Sequence, residues 1–258
     1  MAVSADRYTT QRILSIRRWT PHLFTFRITR DPGFRFVPGQ FARLGLAKED
    51  GALAWRAYSI VSAPYDEHLE FFSIVVPGGE FTPRLAQRVE GDEILVEKTS
   101  YGFLTTDRFE AGRDLWLLAT GTGLAPFMAI LSDPQTWRDY ENIVLAHSVR
   151  TAAELAYREE IAQLHEHPLI AGPGHRLSYV PIVTRARVPG ALGRRITALI
   201  ASGELETAAG LALDRERARI MICGNPEMVA DTRKLLGELG YRLSRRAAPA
   251  ELAVENAW

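Results

Sequence analysis

The sequence contains one cysteine, Cys223, which excludes an internal disulfide framework and fits a reducing compartment. It carries no net charge, with 31 basic and 31 acidic residues, so a protein held to nucleic acid by bulk charge is not expected. No apolar run is long enough to span a bilayer. The opening stretch, MAVSADRYTTQRIL, lacks the apolar centre of an export signal. A cytoplasmic protein with no membrane attachment is expected. The 6 histidines show no His-x-x-His spacing and there is no cysteine pair, so no metal site is expected. No Gly-x-Ser-x-Gly elbow, internal repeat or low-complexity tract is present.

What the chain does have is 258 residues, 47% of them hydrophobic, enough for two ordinary domains with full cores. The first hundred residues read as β. Runs over Gln11–Arg17, His22–Thr29, Phe41–Ala47, Ala54–Val61, His68–Val76 and Asp92–Lys98 alternate or carry β-branched and aromatic residues. Turn signals such as Asp31-Pro32-Gly33 and Pro77-Gly78-Gly79 separate them, which predicts a barrel or sandwich. One short helix is expected after Thr82, a good N-cap, with Pro83 at its first position.

The period then changes. Strands are expected at Leu115–Thr120, Ile143–His147, Tyr179–Thr184 and Arg219–Cys223. Helices are expected at Leu124–Leu131, Ala153–His165, Arg194–Ser202 and Pro226–Leu239. That alternation predicts a parallel sheet covered by helices. The expected division is residues 1–106 and 107–258, with ligands favoured between the two parts.

Chemistry concentrates in a few stretches. Arg56-Ala57-Tyr58-Ser59 places a cation and an aromatic ring two apart on a strand, hence on one side, which suits a phosphate and a planar ring. An ordinary exposed strand pair reads the same way. Gly79-Glu80-Phe81-Thr82-Pro83 presents free helix N–H groups to an anion. Gly121-Thr122-Gly123 joins a strand to a proline-led helix. It is no P-loop, since no lysine follows, and Pro126 stands where a dinucleotide fingerprint has its third glycine.

Taken in order, PGQF at 38–41, RAYS at 56–59, GEFTPRL at 79–85, GTGLAPF at 121–127 and CGNPEM at 223–228 resemble the ferredoxin–NADP reductase family, in its bacterial ferredoxin/flavodoxin form. The resemblance covers nearly the whole chain. It implies a six-stranded antiparallel FAD barrel followed by a nucleotide-binding α/β domain. It implies that Arg56 contacts the FAD pyrophosphate, that Ala57 and Tyr58 lie along the flavin, and that Ser59 lies near the hydride-accepting nitrogen. Glu80, Phe81 and Thr82 would line the pyrophosphate and Thr122 would touch the flavin. Gly121 and Gly123 would let NADP pass close, with Cys223, Asn225 and Pro226 on the nicotinamide side. The chain ends Glu255-Asn256-Ala257-Trp258. By the same resemblance Ala257 would lie on the open flavin face, Trp258 would stack on adenine, and Glu255 would assist proton transfer. The family commonly has phenylalanine where this chain has Trp258.

The implied nucleotide is NADP(H). The second strand of the α/β part runs into Ser148-Val149-Arg150, with no acid to grip a ribose 2′-hydroxyl. Arg150 and Arg158 suit a 2′-phosphate, although Glu154 could pair with Arg158 one helical turn on. The function implied is FAD-dependent electron transfer between NADPH and ferredoxin or flavodoxin. The alternatives are a reductase component for an oxygenase or other dedicated acceptor, and a non-catalytic flavin- or nucleotide-binding regulator or subunit. The single cysteine excludes an internal four-cysteine cluster. The pairs Arg17-Arg18, Arg194-Arg195 and Arg245-Arg246 read as solvated surface, or as a patch steering an acidic carrier.

Overall fold

The computed structural model describes residues 7–170 and 176–256. β1 (Tyr8–Arg18), β2 (Leu23–Thr29), β3 (Phe41–Ala47), β4 (Leu53–Ser59), β5 (His68–Ile74) and β6 (Glu93–Glu97) form an antiparallel sheet in the order β4-β3-β6-β1-β2-β5. Their β-branched and aromatic residues fit a pleated surface with one face packed. Phe24, Phe26, Ile28, Leu44 and Phe71 fill the interior of the curl. Each fully buried side chain contributes about 1.5–3 kcal/mol. The sheet nearly closes on itself. Just past β4, Ile60 bridges Phe71, and the Val61 N–H donates to the Glu70 carbonyl at 2.9 Å. No ladder joins the edge strands β4 and β5 beyond that seam.

The second sheet is parallel. It contains β7 (Asp114–Thr120), β8 (Asn142–Val149), β9 (Arg176–Val183), β10 (Ala218–Gly224) and β11 (Leu252–Asn256), in the order β11-β10-β7-β8-β9. Along β7, Leu115, Leu117 and Ala119 enter one core while Trp116 and Leu118 enter the other. Burial on both faces explains why β7 reads as an unbroken apolar run. Helices α2 (Ala125–Leu131), α3 (Pro134–Asp139) and α4 (Arg158–Gln163) cover one face. Helices α5 (Ile196–Ala201), α6 (Glu204–Ala209) and α7 (Pro226–Glu238) cover the other. The α2–α4 core also takes in Leu23, Val61 and Phe72 of the barrel, so the two halves share apolar packing.

Three local expectations change. The short helix α1 (Thr82–Leu85) is capped by Phe81, not Thr82. The Thr82 hydroxyl instead accepts from the Val76 N–H at 2.9 Å and pins the glycine loop. The helix expected over Ala153–His165 is split into a 3-10 turn (Ala152–Glu154), α4 and a second 3-10 turn, with Tyr157 at φ 62° marking the break. Glu154 does not pair with Arg158. Its carboxylate accepts from the Arg150 and Thr151 N–H groups as part of a capping box with Thr151. Near its end the chain adds β11, which pairs with β10 from Leu252 to Asn256.

Candidate functional site

A cavity of about 550 Å³ opens where β4 and β5 part. Volumes of several hundred Å³ are usual for ligand pockets. Arg56, Ala57, Tyr58 and Ser59 line it from β4, and Phe72, Ser73 and Ile74 from β5. Gly79, Glu80, Phe81 and Thr82 close one end, and Thr122, Ala125, Glu255 and Asn256 reach it from the parallel sheet. Nine sequence-predicted residues therefore meet in one place: Arg56, Ala57, Tyr58, Ser59, Glu80, Phe81, Thr82, Thr122 and Glu255.

The wall is held from behind. The Tyr58 hydroxyl lies 2.9 Å from Ser73 Oγ, a link between the two edge strands. Its ring packs edge-on to Phe26 and Phe71 and tilted against Phe81. Burial pushes the Tyr58 phenol up to about 12, against the pull of Ser73 and the Arg56 charge, so it stays neutral. Arg56 is exposed and has no ion pair among the described residues. Trp55 lines the same wall with its indole N–H buried and, among the described residues, unpartnered. An uncommitted cation and an orphaned donor beside aromatic rings suit a ligand carrying both a planar ring and phosphates.

Glu255 faces the cavity next to Gly102, where an added Cβ would lie 3.1 Å from its Oε2. Among the described residues no cation or donor reaches its carboxylate, and burial alone pushes it up to about 7. It can therefore hold or release a proton near neutrality. Cys223, its register partner on β10, is fully buried. Burial, then the Glu255 charge, push the thiol well above its ordinary range, so it is not a thiolate nucleophile.

Gly121, Gly123, Cys223, Asn225 and Pro226 lie off the cavity, at the carboxyl ends of β7 and β10. Gly121 has φ 53° with open space beside it. Gly123 serves packing, because a methyl group there would fall on the backbone of Cys223 and Gly224. The Asn225 side chain accepts from the Glu227 and Met228 N–H groups and caps α7. Beneath the turn, His147 is fully buried with Nε2 3.1 Å from the Gly121 carbonyl. A carbonyl only accepts, so Nε2 carries the hydrogen, and Nδ1 is buried without a partner among the described residues.

Arg150 is exposed at the tip of β8. Arg185, just past β9, lies beside it, its N–H donating to the Arg150 carbonyl at 3.0 Å. Ligands of open α/β sheets bind at these strand ends. Arg158 sits lower, with its charge acting on Tyr179, which pairs with Leu145 well before the β8 tip. Arg185 was invisible to motif reasoning because only the register of two strands brings it to Arg150. Ser73, Trp55 and Phe41 also line the cavity and were not expected there, although Phe41 closes the PGQF motif and Trp55 precedes RAYS. Ala257 and Trp258 lie outside the described residues. Of the double-arginine patches, Arg17 pairs with Glu160 and Arg194 with Glu204.

Comparisons with known proteins match the two-part fold. Residues 117–234 match the family model described as the oxidoreductase NAD-binding domain. The chain is 43% identical over 253 residues to a ferredoxin–NADP reductase of Pseudomonas aeruginosa, covering 96% of this chain and 97% of that one. It is 39% identical over 251 residues to a flavodoxin/ferredoxin–NADP reductase of Rhodobacter capsulatus, covering 96% and 92%. A crystal structure of a ferredoxin NADP+ reductase from Neisseria gonorrhoeae with bound FAD and NADP superposes with a TM-score of 0.91 at 40% identity, covering 98% of this chain and 99% of that one.

Proposed function

The chain belongs to the ferredoxin–NADP reductase family, and from that membership we propose how its cavity and strand tips divide the work. It is an FAD-dependent oxidoreductase that passes electrons between NADPH and a small one-electron carrier. FAD and NADP(H) are its cofactors. The carrier is ferredoxin or flavodoxin in this proposal, with the cytoplasm as its setting. A reductase component dedicated to an oxygenase is not favoured. The observation that carries the reading is the cavity itself, which gathers Arg56, Tyr58 and Glu80-Phe81-Thr82 from the barrel with Thr122 and Glu255 from the parallel sheet.

When bound, FAD accepts a hydride from NADPH and can release the two electrons singly. The residues of the chain bind, orient and supply a proton. Arg56 meets the pyrophosphate with charge-assisted hydrogen bonds, each contributing about 1.5–3 kcal/mol. Ala57, Tyr58 and Ser59 lie along the flavin, and Ser73 keeps Tyr58 in place. Thr122 meets the flavin from the nucleotide side. Glu255 exchanges a proton at the cavity. Cys223 offers a small neutral wall behind the nicotinamide, near the turn of Gly121 and Gly123 and the capped start of α7 at Asn225 and Pro226. Arg150 holds the 2′-phosphate, with Arg185 better placed than Arg158 to join it. Ala257 and Trp258 are assigned to the flavin and adenine from family membership. The proposal divides the chain at 106/107.

Two steps test this. Purified protein should be yellow, or become so on incubation with FAD. It should then be bleached by NADPH much faster than by NADH and reduce an added ferredoxin or flavodoxin. Colourless protein after incubation would remove the reading.

A further inference from the structure

Tyr157 is the one non-glycine residue at positive φ among the described residues. Such a backbone costs about 1–3 kcal/mol and persists only where its surroundings fix it. Here the surroundings belong to the other half of the molecule. Tyr157 precedes α4 on the parallel sheet, yet its ring is edge-on to Phe72 at 5.3 Å and tilted to Trp19 at 5.2 Å. Both partners are barrel residues, and Phe72 lines the cavity.

The hydroxyl is fixed as firmly as the ring. It lies 2.7 Å from Thr25 Oγ1 and donates to Glu70 Oε1 at 2.9 Å. A carboxylate only accepts, so the single phenolic hydrogen goes to Glu70 and Thr25 must donate to the Tyr157 oxygen. Thr25 in turn accepts from the Trp19 indole N–H at 2.8 Å. Arg27 Nε completes the chain by donating to Glu70 Oε2 at 2.6 Å. Arg17 lies over the Trp19 ring at 3.7 Å and pairs with Glu160 of α4. The run Trp19–Thr25–Tyr157 thus donates step by step toward Glu70, Arg27 donates to Glu70 from the other side, and every member is bonded, the condition under which a buried polar network holds a single geometry.

Resting on the functional reading above, we propose that Tyr157 is a positioning residue for hydride transfer. It pins the nucleotide-binding sheet to the barrel at one angle and so fixes where a nucleotide on the strand tips meets the flavin cavity. Tyr157→Phe removes only the hydroxyl, and Tyr157→Leu removes the ring as well. Each is compared with the wild-type holoprotein in flavin content and absorption, amide exchange in α4 and β5, and flavin reduction by NADPH and by dithionite. In Tyr157→Phe the flavin spectrum and dithionite reduction stay as in wild type and exchange in α4 rises. Its NADPH reduction per bound flavin falls about tenfold or more, as small misplacements do. Glu70→Gln gives a comparable loss, and the double variant loses little further because both changes cut one chain. Wild-type rates and exchange in both Tyr157 variants would overturn the proposal. So would loss of FAD with an unchanged rate per bound flavin, which marks a merely structural tyrosine. A wild-type holoprotein that NADPH does not reduce would instead overturn the functional reading, and this inference with it.

Discussion

The barrel and the parallel sheet present their chemistry by different means. In the barrel it lies along strands: β4 and β5 fail to pair past the Ile60–Phe71 bridge, and their side chains line the gap. In the parallel sheet it lies at strand ends, where the backbone of Gly121, Gly123 and Gly224 shapes the turns and Arg150 and Arg185 project from neighbouring tips. A site built from side chains tolerates a change in the chain's path better than a change in residue type. A site built from turns has the opposite weakness.

Substitutions separate the two. The largest effect is expected on the barrel side: Arg56→Glu puts a negative charge where a pyrophosphate should bind and lowers FAD affinity by more than about a hundredfold, as two lost charge-assisted bonds imply. Flavin retained through ultrafiltration measures it. On the sheet side, Arg150→Ala with Arg185→Ala raises KM for NADPH by about a hundredfold and leaves KM for NADH nearly unchanged. Arg158→Ala should do much less, and an equal effect would relocate the 2′-phosphate. Next comes Gly123→Ala, whose methyl meets the Cys223 and Gly224 backbone and destabilises by about 1–3 kcal/mol, read as a lower Tm.

Glu255 offers a test at the join. Burial raises its pKa from 4.5 to about 7, so folding favours the protonated form. The apoprotein is then most stable, as far as this group goes, below about pH 4.5, and loses stability as pH rises through about 7. Glu255→Gln flattens that part of the Tm-against-pH curve. Turnover in the holoprotein should lose its inflection near neutrality. The smallest effect belongs to Trp258: its deletion should weaken FAD by up to about tenfold, the worth of one aromatic stack.

The same contrast decided what could be read beforehand. The alternation in Leu23–Thr29 and the apolar run in Leu115–Thr120 each announced their strand, because burial on one face or two leaves its own pattern. RAYS and GEFT were legible because the working atoms are side chains. Tyr157 was not: the Ala153–His165 stretch has helical periodicity, and only its contacts with Phe72, Thr25 and Glu70 break it. Thr82 has the right chemistry for a cap but finds Val76 first. Helix α3, capped by Asp133, and helix α6 were also missed. Ser73 and Arg185 depended on which strands lie side by side, and no local pattern states that.

His147 has a consequence for acid tolerance. With its ring held down to about 4 by burial, it stays uncharged at every ordinary pH and keeps its hydrogen on the Gly121 carbonyl. Below about 6.5 the unfolded chain takes up a proton that the native ring refuses, and the deficit grows until about pH 4. Acidification toward pH 4 therefore costs the folded protein stability through a ring that lies directly under the Gly121 turn.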